Sequence, residues 1–265
     1  MKEFYIGIMQ GRVVPESMDK LQIFPASSWL RESCKIHEIG FNHLELLWDR
    51  EGTIKKFPRI REIINKSSPI AIPSMCVDII TSLKGSGEVI DELKSISAFF
   101  GDEIPSVLVI PLLGDMNMHY GEELKKFMLD ISQHAIADKL RSQNVVLSLE
   151  LEMDANEIVN SFCEVNDPLF AFCLDTGNLW YSSKTPKEDL INLLPFVNHV
   201  HIKDKDQNGN NVLLGNGIVN FNYILEKLYK IKYKKLFTLE TKYFEHPEME
   251  ALSNLKFIKN FPFFK

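Results

Sequence analysis

The sequence is poor in cysteine and has no apolar run long enough to cross a bilayer. Its four cysteines stand at positions 34, 76, 163 and 173, and none forms a CxxC pair or has a zinc-finger spacing to histidine. This spacing argues against a disulfide framework and against a thiolate zinc site. The opening segment MKEFYIGIMQGR passes into a strand-like pattern without the apolar core of a signal peptide. We therefore expect a cytoplasmic protein with reduced thiols and no membrane partner.

An excess of positive charge is also missing. The 30 lysines and arginines are outnumbered by 36 aspartates and glutamates, which gives a formal net charge of -6. The lysines are scattered among acids, whereas proteins that neutralise a phosphate backbone mass basic residues on one face. We therefore expect no nucleic acid partner.

A third absence is that of a linker. No stretch rich in proline, glycine and serine and no low-complexity tract divides the 265 residues. Hydrophobic residues make up 45% of the chain, which is enough for a full core. The composition predicts one globular domain that spans residues 1–265.

The sequence does contain a recurring alternation of two patterns. Short β-branched or apolar runs are separated by longer segments with helical periodicity, as expected of successive βα units. Eight such units in a chain of this length are typical of the α/β class and the (β/α)8 TIM barrel. An open doubly wound sheet is the structural alternative. The predicted strands are residues 5–9, 43–47, 70–76, 107–111, 145–150, 170–174, 199–202 and 236–240.

Polar residues stand at or near the ends of the last four predicted strands. They are Glu150 in VVLSLE, Asp175 in FAFCLD, His201 in HVHI and Glu240 in LFTLE. Because side chains alternate along a strand, the leucines beside Glu150 can face the helices while Glu150 faces the barrel axis. The same parity directs the other three inward, and the carboxyl ends of the strands form the active site of such barrels. We expect the four side chains to meet at one site.

Three carboxylates and one imidazole form an oxygen-rich ligand set. Such a set suits Mn²⁺, Mg²⁺ or Co²⁺, with Zn²⁺ or Fe²⁺ as the alternatives. At the mouth of a barrel, an ion can keep open positions for water or for paired substrate oxygens. The sequence thus predicts one divalent metal ion that is bound for catalysis.

Several short strings carry a family resemblance. LSLE, LDTGN, HVHIKD, LLGNGIVNF and TLE occur in this order, and the opening MQGR, the helix at Trp29 and GFNHLELLWD precede them. With them, nearly the whole chain resembles the xylose isomerase-like TIM-barrel superfamily, which includes sugar isomerases, ketose 3-epimerases and endonuclease IV. The resemblance implies that the four strand-end residues bind one metal ion. It also implies that Glu150 and Glu240 exchange protons with a carbon of a sugar.

The implied chemistry is proton transfer through an enediolate. A carboxylate removes a proton beside a carbonyl, while a divalent cation stabilises the enediolate through two adjacent oxygens. The implied protein is a metal-dependent isomerase or epimerase of a sugar or sugar derivative, a small molecule, and the family makes a homodimer or homotetramer an expectation. The alternatives are a keto-cyclitol dehydratase and a non-catalytic barrel that binds a sugar or metabolite.

Asn178 departs from the family pattern. Some members carry a histidine three residues after the aspartate of the sixth strand, where this chain has Asn178. In the ketose 3-epimerases that histidine lies near the substrate, so the choice among isomerase, epimerase and dehydratase stays open. Endonuclease IV needs this histidine and others in the first half of its barrel. Between His43 and His119 this chain has none, which argues against DNA repair.

Eight further residues are candidates for substrate binding, and most have a structural alternative. Glu45 resembles a glutamate that relatives place near the substrate, but a strand-end ion pair is the alternative. Trp48 could stack on a sugar or pack at the barrel rim. Arg12 could hold a hydroxyl or phosphate, and Lys242 an oxyanion, or both could be solvated. The full set is Gln10, Arg12, Glu45, Trp48, Asn178, Lys203, Asp204 and Lys242.

The remaining candidates lie beside the predicted ligands. Lys203 and Asp204 begin the loop after the seventh strand and could orient His201 or the substrate. Glu152 has the same parity as the strand-five ligand and is the alternative ligand there. His199 lies one layer deeper in the barrel and is predicted to be a hydrogen-bonded core residue.

Overall fold

Eight parallel strands close into a barrel in the computed structural model, which describes residues 5–15, 22–57 and 68–264. The last barrel strand pairs with both the seventh and the first. This closure confirms the single-domain (β/α)8 TIM barrel and excludes the open sheet; the domain bounds 1–265 stay a prediction. The barrel strands are β1 (Tyr5–Met9), β2 (His43–Leu47), β3 (Ala71–Cys76), β4 (Val107–Leu112), β5 (Val146–Leu151), β6 (Phe170–Asp175), β7 (Val197–Ile202) and β10 (Leu236–Leu239).

The predicted strand bounds lie close to the observed ones. β1 and β2 have the predicted bounds, and the other six barrel strands begin and end within two residues of them. The structure adds a short antiparallel hairpin after β7, formed by β8 (Asp204–Lys205) and β9 (Asn211–Val212). Its turn contains Gly209 at φ 82, a left-handed conformation that glycine adopts without steric cost.

Helices cover the outside of the barrel, and their ends follow local sequence signals. The first helix ends at Ile39 and is capped by Gly40, whose φ is 99, and the helix of residues 186–193 has Pro186 in its first turn. Asp154 caps the helix that begins at Ala155, because its side chain accepts from the backbone N–H groups of Asn156 and Glu157. The helices are α1 (Trp29–Ile39), α2 (Ser86–Phe100), α3 (Gly121–Ser132), α4 (Ala135–Ser142), α5 (Ala155–Val165), α6 (Thr176–Ser182), α7 (Pro186–Leu193), α8 (Phe221–Lys230) and α9 (Pro247–Lys259).

No helix in the described ranges combines the length and the apolar composition that a bilayer crossing requires.

Alternation along the strands separates two environments. Leu147 and Leu149 of β5 pack into the large core between barrel and helices, together with apolar residues of every barrel strand. A smaller apolar cluster fills the barrel lumen with Met9, Leu47, Cys76, Val107, Val109 and Cys173. Polar side chains complete the lumen and are buried as well: His43, Glu45, Ser74, Ser148, His199 and Thr238. The barrel therefore supports its carboxyl-end site on a polar interior.

Gly7 in β1 creates the space that one of these side chains occupies. A Cβ atom at Gly7 would lie 2.2 Å from Cδ2 of the His43 ring, well inside van der Waals contact. The His43 ring in turn places Nε2 3.1 Å from Oγ1 of Thr238. A glycine in the first strand thus permits a buried polar contact between β2 and β10.

Gly7→Ala is expected to lower the free energy of unfolding by about 1–3 kcal/mol, the usual cost of overpacking a core. Urea denaturation followed by circular dichroism measures the change. Gly87→Ala is the matched control, because a Cβ at Gly87 meets nothing within 4 Å and alanine is favoured in helix α2. Equal stability of Gly7→Ala and the wild type would contradict the packing described for His43.

Candidate metal centre

Four side chains converge at the carboxyl ends of adjacent strands. One oxygen or nitrogen atom of each lies within 4.8 Å of the corresponding atoms of the others. The four are Glu150 of β5, Asp175 of β6, His201 of β7 and Glu240, which follows β10. Glu150, Asp175 and His201 are buried, and Glu240 is nearly so. The structure therefore brings together the four residues that the sequence places at strand ends.

The strand register explains the convergence. Asp175 of β6 lies opposite His201 of β7, and Thr238 of β10 lies opposite His201 on the other side. The backbone N–H of Glu240 donates to the carbonyl oxygen of Ile202 at 3.0 Å, which continues the pairing by one residue. Asp175 and His201 are thus direct neighbours, whereas Glu240 stands two residues beyond the partner of His201. The tilt and stagger of barrel strands bring all four side chains to one site.

Asp175 has a second, structural contact. Its Oδ1 accepts from the backbone N–H of Asn178 at 2.7 Å and so caps helix α6. The Asn178 side chain reaches back across the site, where Nδ2 donates to Oε1 of Glu150 at 3.1 Å. Asn178 therefore holds the Glu150 carboxylate, and the first turn of α6 ties two of the four predicted ligands to each other.

The imidazole of His201 presents its two nitrogen atoms to different groups. Nδ1 lies 3.1 Å from Oε2 of Glu240 and 3.7 Å from Oε2 of Glu150, whereas Nε2 lies 2.7 Å from Oε1 of Glu45. Nδ1 is thus the nitrogen that faces the carboxylates. Burial alone would lower the pKa of His201, but Cys173 and Glu45 beside the ring raise it well above its ordinary value.

Lys203 supplies a positive charge inside the cluster. Its Nζ lies 2.8 Å from Oδ2 of Asp175 and 2.9 Å from Oε2 of Glu240. Burial alone would lower the pKa of Lys203, but the carboxylates of Asp175 and Glu240 raise it well above its ordinary value. Lys203 is therefore a permanent cation next to two of the predicted ligands.

The two glutamates differ in protonation. Burial and the neighbouring carboxylates of Glu240 and Asp175 raise the pKa of Glu150 to about 8. Burial would also raise the pKa of Glu240, but the charges of Lys203 and His201 lower it below the ordinary value. In the metal-free protein at neutral pH, Glu150 therefore carries a proton and Glu240 is ionised.

Two observations indicate that the cluster suits a divalent cation. Three oxygen donors and one nitrogen donor match the ligands that Mg²⁺, Mn²⁺ and Co²⁺ accept. In addition, three buried atoms of the cluster make no hydrogen bond of normal geometry within the described residues: Oδ2 of Asp175, Oε2 of Glu240 and Nδ1 of His201. In the metal-free protein the charge of Lys203, 2.8 and 2.9 Å from the two oxygen atoms, offsets them in part. Buried polar atoms left in this way are costly unless a cation or a proton satisfies them.

A second cluster, Glu45 with His199 and His201, does not fit a metal ion. Oε1 of Glu45 lies 2.7 Å from Nε2 of His201, and Oε2 lies 2.6 Å from Nε2 of His199. Two ligands of one ion, each about 2.1 Å from it, are roughly 3 Å or more apart. Burial would raise the pKa of Glu45, but His201 and His199 hold it well below its ordinary range. The cluster is a buried ion-paired support beneath the site.

A cavity of about 140 Å³ adjoins the carboxylates. Arg50 and Asp78 form part of its wall and pair with each other, because Nε of Arg50 donates to Oδ2 of Asp78 at 2.7 Å. Neither residue was among the sequence candidates. The signal that could have found them is their position, because Arg50 lies three residues after the end of β2 and Asp78 two residues after the end of β3. The lining residues are Gln22, Arg50, Cys76, Asp78, Thr81, Pro111, Leu113, Gly114, Glu150, Lys203 and Glu240.

Two candidates of the β1 loop are buried beside the site. Oε1 of Gln10 accepts from the backbone N–H of Leu47 at 3.1 Å. Arg12 donates to Oε1 of Gln22 at 3.0 Å, and its charge contributes to the low pKa of Glu240. Gln10 and Arg12 therefore lie near the mouth of the barrel, as expected of residues that follow β1.

Three candidates do not reach the cluster. Trp48 follows the inward Leu47, so alternation turns it outward, where its ring packs edge-on against Phe99. Asp204 accepts from the backbone N–H groups of the loop after β9, at residues 215, 217 and 219. Lys242 is exposed and its Nζ lies 5.6 Å from the ring centre of Phe244. Their contacts are those of packing, loop and surface residues.

The structure also locates Glu152, the alternative ligand of strand five, and His199, the predicted core histidine. Glu152 is exposed, whereas Glu150 is buried in the cluster, so the strand-five residue that joins the other three predicted ligands is Glu150. His199 is fully buried one layer below His201, as predicted for a core histidine. His119 is exposed in the loop after β4.

Comparison with known sequences finds one family. The sequence pattern described as Xylose isomerase-like TIM barrel matches residues 117–261. No curated protein sequence matches the chain significantly.

Three solved structures illustrate how far the likeness extends. The apo 3-keto-D-glucoside 4-epimerase YcjR from E. coli has a TM-score of 0.70 and 17% identity, over 98% of this chain and 100% of that one. The probable 3-DHS dehydratase AsbF from Bacillus anthracis has a TM-score of 0.70 and 16% identity, over 97% of this chain and 99% of that one. A Xylose isomerase-like TIM barrel protein from Mycobacterium smegmatis in complex with magnesium has a TM-score of 0.65 and 17% identity, over 96% of this chain and 95% of that one. At these identities the likeness shows the fold.

Binding of Mg²⁺ is expected to release protons, because metal ligands must be deprotonated. In the metal-free protein at about pH 7, Glu150 and His201 both hold a proton, since the pKa of each is raised, that of Glu150 to about 8. At about pH 9 Glu150 is already ionised, so the number released falls by roughly one and the affinity is higher. Calorimetry in two buffers of different ionisation enthalpy counts the protons. The same heat in both buffers at pH 7 would show that no protonated residue is a ligand.

Proposed function

The chain belongs to the xylose isomerase-like TIM barrel family, and on this premise we propose that it is a divalent-metal-dependent isomerase or epimerase of a sugar or sugar derivative. The observation that carries the proposal is that Glu150 and Glu240 belong to one ligand cluster and line one cavity. Two carboxylates at one cavity can remove a proton from a carbon next to a carbonyl and return it.

Glu150, Asp175, His201 and Glu240 would hold the ion, with His201 contributing Nδ1. Mn²⁺, Mg²⁺ and Co²⁺ suit this donor set best, and the likeness to a barrel in complex with magnesium supports the assignment. When bound, the ion would supply positive charge next to the oxygen atoms of the substrate. The remaining steps depend on residues of the chain.

The two glutamates are prepared for proton transfer in different ways. Asn178 donates to Oε1 of Glu150 at 3.1 Å, which leaves Oε2 of Glu150 to face the cluster. Lys203, 2.9 Å from Oε2 of Glu240, keeps that carboxylate ionised and so ready to accept a proton. Because the groups are buried, little water competes for the transferred proton. One glutamate removes the proton. In an isomerisation the same carboxyl group returns it to the neighbouring carbon, and in an epimerisation the other glutamate, after taking up a proton from solvent, delivers it on the opposite face.

Part of the cavity wall suits a polyhydroxylated substrate. Arg50 lies 2.7 Å from Asp78 and is about half exposed, whereas Asp78 is buried. The pair offers both donors and acceptors in the same cavity as the proton-transfer residues, and Arg12 lies nearby. Hydroxyl groups of a sugar can bond to both members of such a pair.

Dehydration of a keto-cyclitol is the second candidate reaction. It begins with the same proton abstraction beside a carbonyl, and it then expels a hydroxide as water. Two observations favour dehydration as a candidate. Asn178 stands where the ketose 3-epimerases have a histidine, and the TM-score to the probable 3-DHS dehydratase equals that to the 3-keto-D-glucoside 4-epimerase. A cytoplasmic location and a homodimer or homotetramer stay predictions.

Deuterium wash-in tests the proposed chemistry. Mn²⁺-loaded protein in D₂O is expected to incorporate deuterium beside the carbonyl of at least one member of a panel of free ketoses, ketose phosphates, 3-keto-glucosides and keto-cyclitols, read by mass spectrometry. Glu150→Gln and Glu240→Gln are each expected to lower the exchange rate by a factor of about 10²–10⁴, because an amide cannot accept the proton.

Glu152→Gln is the matched control for these variants, since Glu152 is exposed two residues from Glu150. It is expected to keep the wild-type exchange rate. Analysis of the exchanged substrate by NMR then separates an epimer, an aldose–ketose pair and an unsaturated ketone. Absence of exchange throughout the panel, in protein that binds Mn²⁺, would support the non-catalytic binding barrel instead.

Asn178→Ala is expected to reduce kcat on the substrate found in this way by roughly 10- to 100-fold, the usual worth of a hydrogen bond to a charged group. The loss arises because Oε1 of Glu150 loses its donor. Steady-state kinetics measures it, with Asn156→Ala as the control, because Asn156 is an exposed asparagine in α5. An unchanged kcat in Asn178→Ala would show that the contact with Glu150 has no part in the reaction.

A further inference from the structure

A carboxylate below the metal centre has no role in the proposed reaction. Glu45 of β2 has no exposed area, and it is absent from the residues that line the cavity. Both of its oxygen atoms are engaged: Oε1 with His201, and Oε2 with the hydroxyl group of Ser74 at 2.8 Å and with Nε2 of His199 at 2.6 Å. Glu45 therefore cannot reach a substrate without leaving these partners.

A buried carboxylate with this geometry is costly unless it orders its neighbours. Of its contacts with the described part of the chain, only the one at Oε1 leads to the metal centre, where Nε2 of His201 lies at 2.7 Å. We propose that Glu45 is the positioning residue that makes His201 a metal ligand through Nδ1. The inference rests on the proposed function in one respect, since it assumes that a divalent ion binds at the four-residue cluster.

The physical argument concerns which nitrogen of the ring carries a hydrogen atom. A carboxylate only accepts hydrogen bonds when ionised, so Nε2 of His201 must donate to Glu45. A neutral imidazole then has its lone pair on Nδ1. Nδ1 is the atom that lies 3.1 Å from Glu240 and 3.7 Å from Glu150. Glu45 thus fixes both the direction of the ring and the nitrogen that can coordinate.

The other neighbours of His201 cannot replace this contact. Cys173 on the adjacent strand also interacts with the ring, but a thiol is a weak acceptor. His199 lies 5.1 Å from His201 between ring centres, with the two rings nearly perpendicular, and it contacts the other oxygen of Glu45. A carboxylate that bonds the second nitrogen of a ligating histidine typically changes metal affinity by a factor of 10–100.

Glu45→Gln tests the proposal with Mn²⁺ alone as the probe. Glutamine keeps one acceptor but adds an amide that donates, so the ring of His201 loses its defined partner. Calorimetry is expected to show Mn²⁺ binding about 10- to 100-fold weaker than in the wild type. Ser74→Ala is the matched control, because it removes a hydrogen bond from Oε2 and leaves Oε1 with His201; it is expected to bind Mn²⁺ nearly as the wild type does.

A spectroscopic measurement separates positioning from simple stabilisation. Nitrogen NMR of the Mg²⁺-loaded wild type is expected to show hydrogen on Nε2 of His201 and none on Nδ1. Glu45→Gln is expected to lose the protected Nε2–H signal. Glu45→Asp, which keeps the charge but withdraws it by one methylene, is expected to bind Mn²⁺ less tightly as well. If Glu45→Gln does not fold, the wild-type spectrum still decides, because hydrogen on Nδ1 overturns the proposal.

The outcomes separate the two hypotheses. Wild-type protein that binds neither Mn²⁺ nor Mg²⁺ removes the basis of the proposed function, and the inference falls with it. A wild type that binds Mn²⁺, together with a folded Glu45→Gln that binds it equally tightly and keeps the Nε2–H signal, overturns the inference alone. Weaker binding by Ser74→Ala to the same extent as by Glu45→Gln would also overturn it, since that result indicates general support of the lumen.

Discussion

The repulsion of three buried carboxylates is the constraint on which the rest of the site depends. Glu150, Asp175 and Glu240 bring oxygen atoms to within 4.8 Å of one another, in surroundings that weaken solvation of each charge. Lys203 offsets the charge of two of them, and a proton on Glu150 removes the charge of the third in the metal-free state. A divalent cation does the same work without the proton. The energetic cost of assembling the cluster is therefore what would give it the proposed affinity for a metal ion.

The polar lumen provides the rigidity that such a cluster needs. His43 contacts Thr238 at 3.1 Å, Thr238 donates to Oε2 of Glu45 at 3.3 Å, and Glu45 contacts His201. The chain of contacts begins at Gly7, which leaves room for the His43 ring. Buried polar groups that satisfy one another hold a unique arrangement. The small size of a residue in the first strand thus affects the orientation of a histidine in the seventh.

The reaction is decided by residues that the barrel leaves free to vary. An epimerase and a probable dehydratase have the same TM-score of 0.70 to this chain, so the path of the backbone does not separate the two reactions. In the proposed function, groups at or beside the cavity do: Asn178, which bonds to Glu150, and Arg50 with Asp78 in the cavity wall. These three residues lie just beyond strand ends, where side chains can change without disturbing the pairing of the strands.

Period-two alternation and the polar ends of apolar runs were enough to predict the barrel, the bounds of β1 and β2, and the convergence of Glu150, Asp175, His201 and Glu240. The inward direction of each side chain is a local property, because it follows from the position of the residue in its own strand. The expectation that they converge needs only the general rule that the carboxyl ends of barrel strands meet at one site. The contact of Glu45 with His201, the bond of Asn178 to Glu150 and the pairing of Arg50 with Asp78 join residues from different βα units. Only the closed barrel decides them, since the distance between two side chains on separate strands depends on register and closure, which no single segment of sequence contains.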